Sequence, residues 1–237
     1  MKRIGTLSMA KRKSRSLDRA KIIAVYNQKG GCGKSQVSMQ LAGTLSLRGY
    51  RVLVVDMDPQ GTALMWSAGA PSDNPFPATV VSLSKQKESM VGEIRKFASN
   101  YDFILIDCPP AIESTVPWAA LIIADLGLIP IIPLADNIWA SKQAVNLGMN
   151  AKQENPNLML RFVPSNVGRG NLYQYGLEAI KEIEEIEMLN TGLSHRNAFP
   201  TAAMLGTTVH GLANKSPAID EIESLATAVL KLFNIKG

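Results

Sequence analysis

Residues 21–36 read Lys21-Ile22-Ile23-Ala24-Val25-Tyr26-Asn27-Gln28-Lys29-Gly30-Gly31-Cys32-Gly33-Lys34-Ser35-Gln36. The first seven form a short apolar run, the pattern of a strand buried on both faces. The next part is rich in glycine. From Lys34 onward Val37, Leu41, Leu45 and Leu47 recur at near-helical spacing as far as Gly49, a residue suited to end a helix. A strand, a glycine loop and a helix in that order make an anion cradle. Gly30, Gly31 and Gly33 free the backbone to turn successive N–H groups inward, and the helix start adds its positive dipole end. Lys34 then supplies a point charge for the β- and γ-phosphates, and the Ser35 hydroxyl is placed for Mg²⁺.

The rest of the chain repeats this alternation. Further strands are expected at residues 51–56, 79–83, 101–107, 126–133 and 158–165. Helices are expected at 34–48, 88–99, 113–124, 136–154, 173–188 and 216–233, the last with Ser216 as cap and Pro217 in its first turn. Apolar strands separated by helices imply an α/β fold, a doubly wound and mostly parallel sheet with helices on both faces. Residues 69–77, rich in proline, read as a surface excursion. No internal repeat or interdomain linker is visible.

The 237 residues are 46% apolar and 19% charged, with mean hydropathy +0.04, enough apolar material for a sizeable core. The net charge of +5 is unevenly placed. Residues 1–20 carry seven basic side chains (Lys2, Arg3, Lys11, Arg12, Lys13, Arg15 and Arg19) against Asp18, while the remainder is nearly neutral. We therefore divide the chain into a basic, mobile tail at 1–20 and one domain at 21–237. The tail suits nucleic acid or an anionic surface, or is a solvated extension with a true start at Met9. The longest apolar stretch, 119–135, is broken by Asp125, Pro130 and Pro133, so no membrane span is expected. No apolar segment follows the basic start, so no secretory leader is expected. Cys32 and Cys108 make no disulfide framework, which suits a reducing cytoplasm. His195 and His210 lack spaced partners, so no metal cluster is expected.

Two other strands end in acids. Asp56 and Asp58 close the second, in Val54-Val55-Asp56-Met57-Asp58-Pro59, and Asp107 closes the run Phe103-Ile104-Leu105-Ile106 before Cys108-Pro109-Pro110. Ligands of parallel sheets bind at the carboxyl ends of strands, so these carboxylates belong beside the phosphate loop.

The loop departs from the usual G-x-x-x-x-G-K-[ST]: Gln28 stands where the first glycine should, and a lysine, Lys29, follows. In this it resembles the ParA/MinD-type ATPases, whose loop begins with Lys-Gly-Gly. The resemblance spans about residues 21–233 and is strongest at 22–61 and 101–110, where Asp-Cys-Pro-Pro also matches. It implies an ATP·Mg²⁺-binding P-loop ATPase that forms a homodimer, with Lys29 reaching the partner's phosphates. It implies Lys34 on the phosphates, Asp58 near the attacking water, and Ser35, Asp56 and Asp107 at or near the Mg²⁺. Cys32 and Gln36 complete the cradle, Gln36 replacing a usual threonine. Asn166 lies beside the adenine by the same resemblance, or caps its loop. Arg196 and Lys215, with the tail, would bind DNA without sequence preference, or Arg196 makes a local ion pair.

The activity so implied is plasmid or chromosome partition on the nucleoid, with a ParB-like stimulator and weak hydrolysis alone. The alternatives are positioning of a protein cargo through another adaptor, membrane association of the MinD kind, or DNA binding with a purely structural nucleotide. The lack of clustered cysteines weighs against the iron–sulfur branch. Asp220, Glu221 and Glu223 crowd the C-terminal helix, whose stripe of Ile219, Ile222, Leu225, Val229 and Leu232 reads as packed on the body, so no membrane partner is expected. Cys32, near a helix start and Lys34, is expected to have a lowered thiol pKa.

Overall fold

A computed structural model describes residues 17, 19–86, 89–110, 114–213 and 216–236. Six parallel strands form one sheet in the order β3-β2-β4-β1-β5-β6. They are β1 (Lys21–Val25), β2 (Val52–Asp56), β3 (Thr79–Ser82), β4 (Phe103–Asp107), β5 (Leu126–Ile131) and β6 (Met159–Pro164). Among the described residues eight α-helices join or flank them: α1 (Lys34–Leu47), α2 (Thr62–Ala68), α3 (Met90–Phe97), α4 (Val116–Ile123), α5 (Ala135–Glu154), α6 (Asn171–Lys181), α7 (Ala198–Met204) and α8 (Pro217–Leu232).

Both faces of the strands are apolar, and alternate residues serve opposite cores. Ile23, Val25, Val52, Val54, Phe103 and Leu105 point to the side of α1, α2, α7 and α8. Ala24, Leu53, Val55, Ile104 and Ile106 point to that of α3, α4, α5 and α6. This period-two division is what burial on both faces demands of a strand. The doubly wound arrangement follows. The helix leaving β1 lies on one face, while those leaving its neighbours β4 and β5 lie on the other, so a crevice opens at the carboxyl end of β1.

The apolar stripe expected on the last helix is spent in packing. Ala218, Ile222, Leu225, Ala226, Val229 and Leu230 of α8 are buried against the α1 side. Ser216 caps this helix, accepting the Ala218 N–H at 3.2 Å. Among the described residues no helix is long and apolar enough to cross a membrane.

One expectation needs correction. The helix expected at 173–188 ends at Lys181. Continuing it would place Glu184, Glu185 and Glu187 at the negative end of the macrodipole, and the chain instead pairs with the sheet edge. Phe162 N–H donates to Glu187 O at 3.0 Å, and Leu189 N–H to Phe162 O at 2.9 Å. The excursion at 69–77 does lie on the surface, with residues 71–75 and 77 exposed, and it is pinned by Phe76, which is buried in the core beside α1. The short helices α2 and α7 were not expected at all. The basic tail falls almost wholly outside the described residues. Of its end, Leu17 N–H donates to Asp102 Oδ1 at 3.1 Å, and Arg19 pairs with Asp125.

Candidate nucleotide-binding site

Asn27 fastens the glycine loop to the sheet. Its Nδ2 donates to Pro130 O of β5 at 2.9 Å, and its Oδ1 accepts the Lys29 N–H at 3.1 Å. Beyond it, Gly31 and Gly33 have φ of +73° and +96°, where a side chain is strained. At Gly33 space matters too: a Cβ there would lie 2.3 Å from Ser165 Oγ, just past the end of β6. Gly33 is also the residue from which α1 starts, and no side chain caps that start. The first-turn N–H groups of α1 are thus left for a ligand. Lys34 is buried inside the loop, with Nζ donating to Lys29 O at 3.0 Å. Ser35 and Gln36, the next two residues, are half-buried.

The carboxylates stand in the adjoining row. Sheet register sets Val25 beside Asp107, and Asp107 beside Asp56. Asp56 is fully buried and both its oxygens accept backbone N–H groups, Oδ1 from Asp58 at 3.0 Å and Oδ2 from Leu64 at 2.9 Å. Burial raises its pKa, against the pull of those N–H groups. Asp56 therefore anchors both the Asp58 turn and the start of α2. Asp58 itself is half-exposed, and its Oδ1 accepts the Gln60 N–H at 2.9 Å. The turn-forming role of an Asp before Pro is thus present alongside its place at the strand end.

Asp107 is the most perturbed acid. Burial pushes it up to about 7 and the Asp56 charge adds to the rise, while the Ser35 and Ser38 hydroxyls and Lys34 offset part of it. Its Oδ1 accepts from Ser38 Oγ at 3.0 Å. Its Oδ2 is buried without a hydrogen-bond partner. Among the described residues no three His, Cys, Asp or Glu side chains group to cage a metal. That fits Mg²⁺, which is commonly held by one or two carboxylates together with phosphates and water, and the orphaned Oδ2 is a place for such a water.

Lys29 lies apart from Lys34. Its ammonium is 2.5 Å from Asp136 Oδ2 in the first turn of α5, and Lys29 holds that carboxyl below the usual carboxylate range. Asp136 was missed in the sequence because a lone acid in a first helical turn reads as a dipole partner. Asn27, Ser38 and Ser165 were missed as well, since short polar residues near a loop carry no spacing signal.

Asn166 adopts φ +51°, and its Oδ1 accepts from His195 Nδ1 at 2.7 Å. It stands past the carboxyl end of β6, one residue beyond Ser165. Arg196 is engaged locally: its Nε donates to Glu221 Oε1 at 2.7 Å, and the other Glu221 oxygen accepts the Ser194 N–H at 2.9 Å. Lys215 lies outside the described residues. The expectation of a lowered Cys32 pKa is overturned. The thiol is buried, and loss of solvation raises its pKa despite Lys34 3.9 Å away. Burial raises the Cys108 thiol as well.

The CobQ/CobB/MinD/ParA nucleotide binding domain matches residues 23–209, which run from within β1 to the turn after α7. The chain is 29% identical to the carboxysome distribution maintenance protein A of Halothiobacillus neapolitanus, over 90% of this chain and 98% of that one. It is 29% identical to the sporulation initiation inhibitor protein Soj of Bacillus subtilis, over 70% of this chain and 79% of the relative. The structure of the septum site-determining protein MinD complexed with Mg-ADP, from Pyrococcus horikoshii, shares the fold, with a TM-score of 0.75 at 20% identity over 92% of this chain and 99% of that one. This chain belongs to the CobQ/CobB/MinD/ParA nucleotide-binding family and has the P-loop fold of its ParA/MinD-type members.

Proposed function

We propose that two copies of this chain dimerise around ATP·Mg²⁺, that the dimer binds DNA without sequence preference, and that ATP hydrolysis releases it while distributing a cargo. The position of Lys29 carries this reading. A loop with two lysines keeps one, Lys34, buried within it and sends the other outward to an exposed acid, Asp136. An ammonium so placed can leave its pair and enter a facing protomer's pocket.

In that pocket the N–H groups of the glycine loop and of the start of α1 cradle the phosphates. Lys34 exchanges Lys29 O for phosphate oxygens. Ser35 and Asp107 would hold Mg²⁺, which when bound neutralises charge on the β- and γ-phosphates. Asp58 orients the attacking water, and we assign Asp56 to holding the Asp58 turn in place. The partner's Lys29 adds the cation that the developing charge requires. Gln36 lines the cradle beside Ser35, with Gly30, Gly31 and Cys32 completing it, and Asn166 borders the base.

A protein cargo is supported by the alignment with the carboxysome distribution protein, which covers 98% of that relative at 29% identity, against 96% at 25% identity for the protein ParA of Rhizobium radiobacter. Partition remains the second reading, supported by the alignment with Soj. In either case a separate adaptor would stimulate hydrolysis, and the protein would work on the nucleoid. Arg196, Lys215 and the basic tail are the proposed DNA contacts, and Arg196 would have to exchange Glu221 for phosphate. The buried stripe of α8 disfavours the MinD-like reading. Co-sedimentation with DNA under ATP, ADP and no nucleotide tests the proposal. Wild type should pellet with DNA only under ATP, and Lys29→Ala should not; nucleotide-independent pelleting of both would refute it.

A further inference from the structure

The two oxygens of Asp107 have different surroundings. Oδ1 accepts a hydrogen bond from Ser38 Oγ at 3.0 Å, and Oδ2, equally buried, accepts none. Ser38 stands on α1 one turn beyond Lys34, with 0% exposure. A serine inside a helix commonly turns its hydroxyl to its own backbone or to water. Here it reaches across to the end of β4, 69 residues away in the chain. Leaving one oxygen of a buried carboxylate unpaired is costly, so the other bond does more than fill a need for hydrogen bonding.

We infer that Ser38 is a positioning residue for the magnesium site: by occupying Oδ1 it fixes the carboxyl group so that Oδ2 stays open for the cation's water shell. The inference rests on the proposed role of Asp107. A carboxylate has a broad, roughly two-fold terminal torsion, so an unheld Asp107 could present either oxygen at varied angles. The Ser38 hydroxyl restricts that freedom from a helix whose first turn also carries Lys34 and Ser35, and the Ser35 hydroxyl acts on the same carboxylate. Phosphate cradle and metal carboxylate are thereby set by one rigid element, as second partners of metal ligands commonly do.

The test measures affinity for a fluorescent, non-hydrolysable ATP analogue with Mg²⁺ and with EDTA, and reads the ratio of the two. Ser38→Ala should lower that ratio about tenfold, and Ser38→Thr, which keeps the hydroxyl, should stay within about twofold of wild type. Ser38→Cys keeps nearly the same volume with a weak donor, and should lose the ratio as alanine does. Should Ser38→Ala and Ser38→Cys keep the full ratio while Asp107→Asn loses it, the positioning role is wrong and the magnesium reading stands. Should Asp107→Asn also keep it, the magnesium reading fails and takes the positioning role with it.

Discussion

Lys29 Nζ lies 2.5 Å from Asp136 Oδ2, so the first lysine of the phosphate loop is tied to the N-terminal turn of α5 within its own chain. Both partners are partly exposed, and the pair competes with anything else that lysine could bind. Trp139, one turn further along α5, is 69% exposed beside it. Under the proposed cycle, dimer formation exchanges this internal partner for a neighbour's phosphates. Asp136→Asn should therefore lower the protein concentration needed for ATP-dependent dimerisation, by about two- to fivefold, the scale of an exposed ion pair. Sedimentation velocity with a non-hydrolysable analogue measures it, and added salt should narrow the difference between variant and wild type.

Gly33 is constrained twice, by its left-handed backbone and by Ser165. Gly33→Ala should destabilise the fold by about 1–3 kcal/mol in urea unfolding and weaken nucleotide binding. Adding Ser165→Gly removes the clash with Oγ but not the backbone strain, so it should restore only part of the stability. Full restoration would show that the φ of Gly33 costs nothing.

Asp102 tests the fold away from the site. Burial alone would raise its pKa, but the Arg51 guanidinium and the N–H groups of Arg51 and Leu17 outweigh it, leaving the carboxyl below its ordinary value. A depressed folded-state pKa stabilises the protein above the unfolded value near 3.8 and is lost as pH falls through the folded value. Asp102→Asn should destabilise by about 2–4 kcal/mol at neutral pH, since it leaves Arg51 and its backbone N–H short of partners. The difference from wild type should shrink below pH 4 in acid titrations of urea stability.

Cys32 and Cys108 are both buried with raised thiol pKa. A thiol-specific disulfide reagent near pH 7.5 should react with the folded protein at least about tenfold more slowly than with the urea-unfolded chain. Rapid modification of Cys32 in the folded protein would contradict the burial of that side chain.

Much of this was legible in the sequence where physics leaves few options. Continuous apolar runs ending in Asp56 and Asp107 can only be central parallel strands, and Gly33 before Lys34 fits a turn that no other residue takes without strain. Other features carried no pattern. The helix α2 spans seven residues, too few to show a stripe, and it is held by a carboxylate six places before it begins. The end of α6 was decided by pairing with β6, a tertiary contact. The Cys32 pKa was misjudged because proximity to Lys34 was visible and burial was not. Asp136 and Ser38 meet their partners only once the sheet brings distant segments together.

The central claim is that Lys29 acts on the pocket of the other protomer. Mixing Lys29→Ala with Asp58→Ala tests it most directly, by steady-state ATP hydrolysis under the same conditions as each variant alone. In a mixed dimer the Lys29→Ala protomer keeps its own Asp58 and receives Lys29 from its partner, so one complete pocket forms. The account predicts two inactive variants that together recover about one quarter of wild-type activity, since about half of random dimers are mixed and each holds one working site of two. A mixture no more active than its separate components would contradict it.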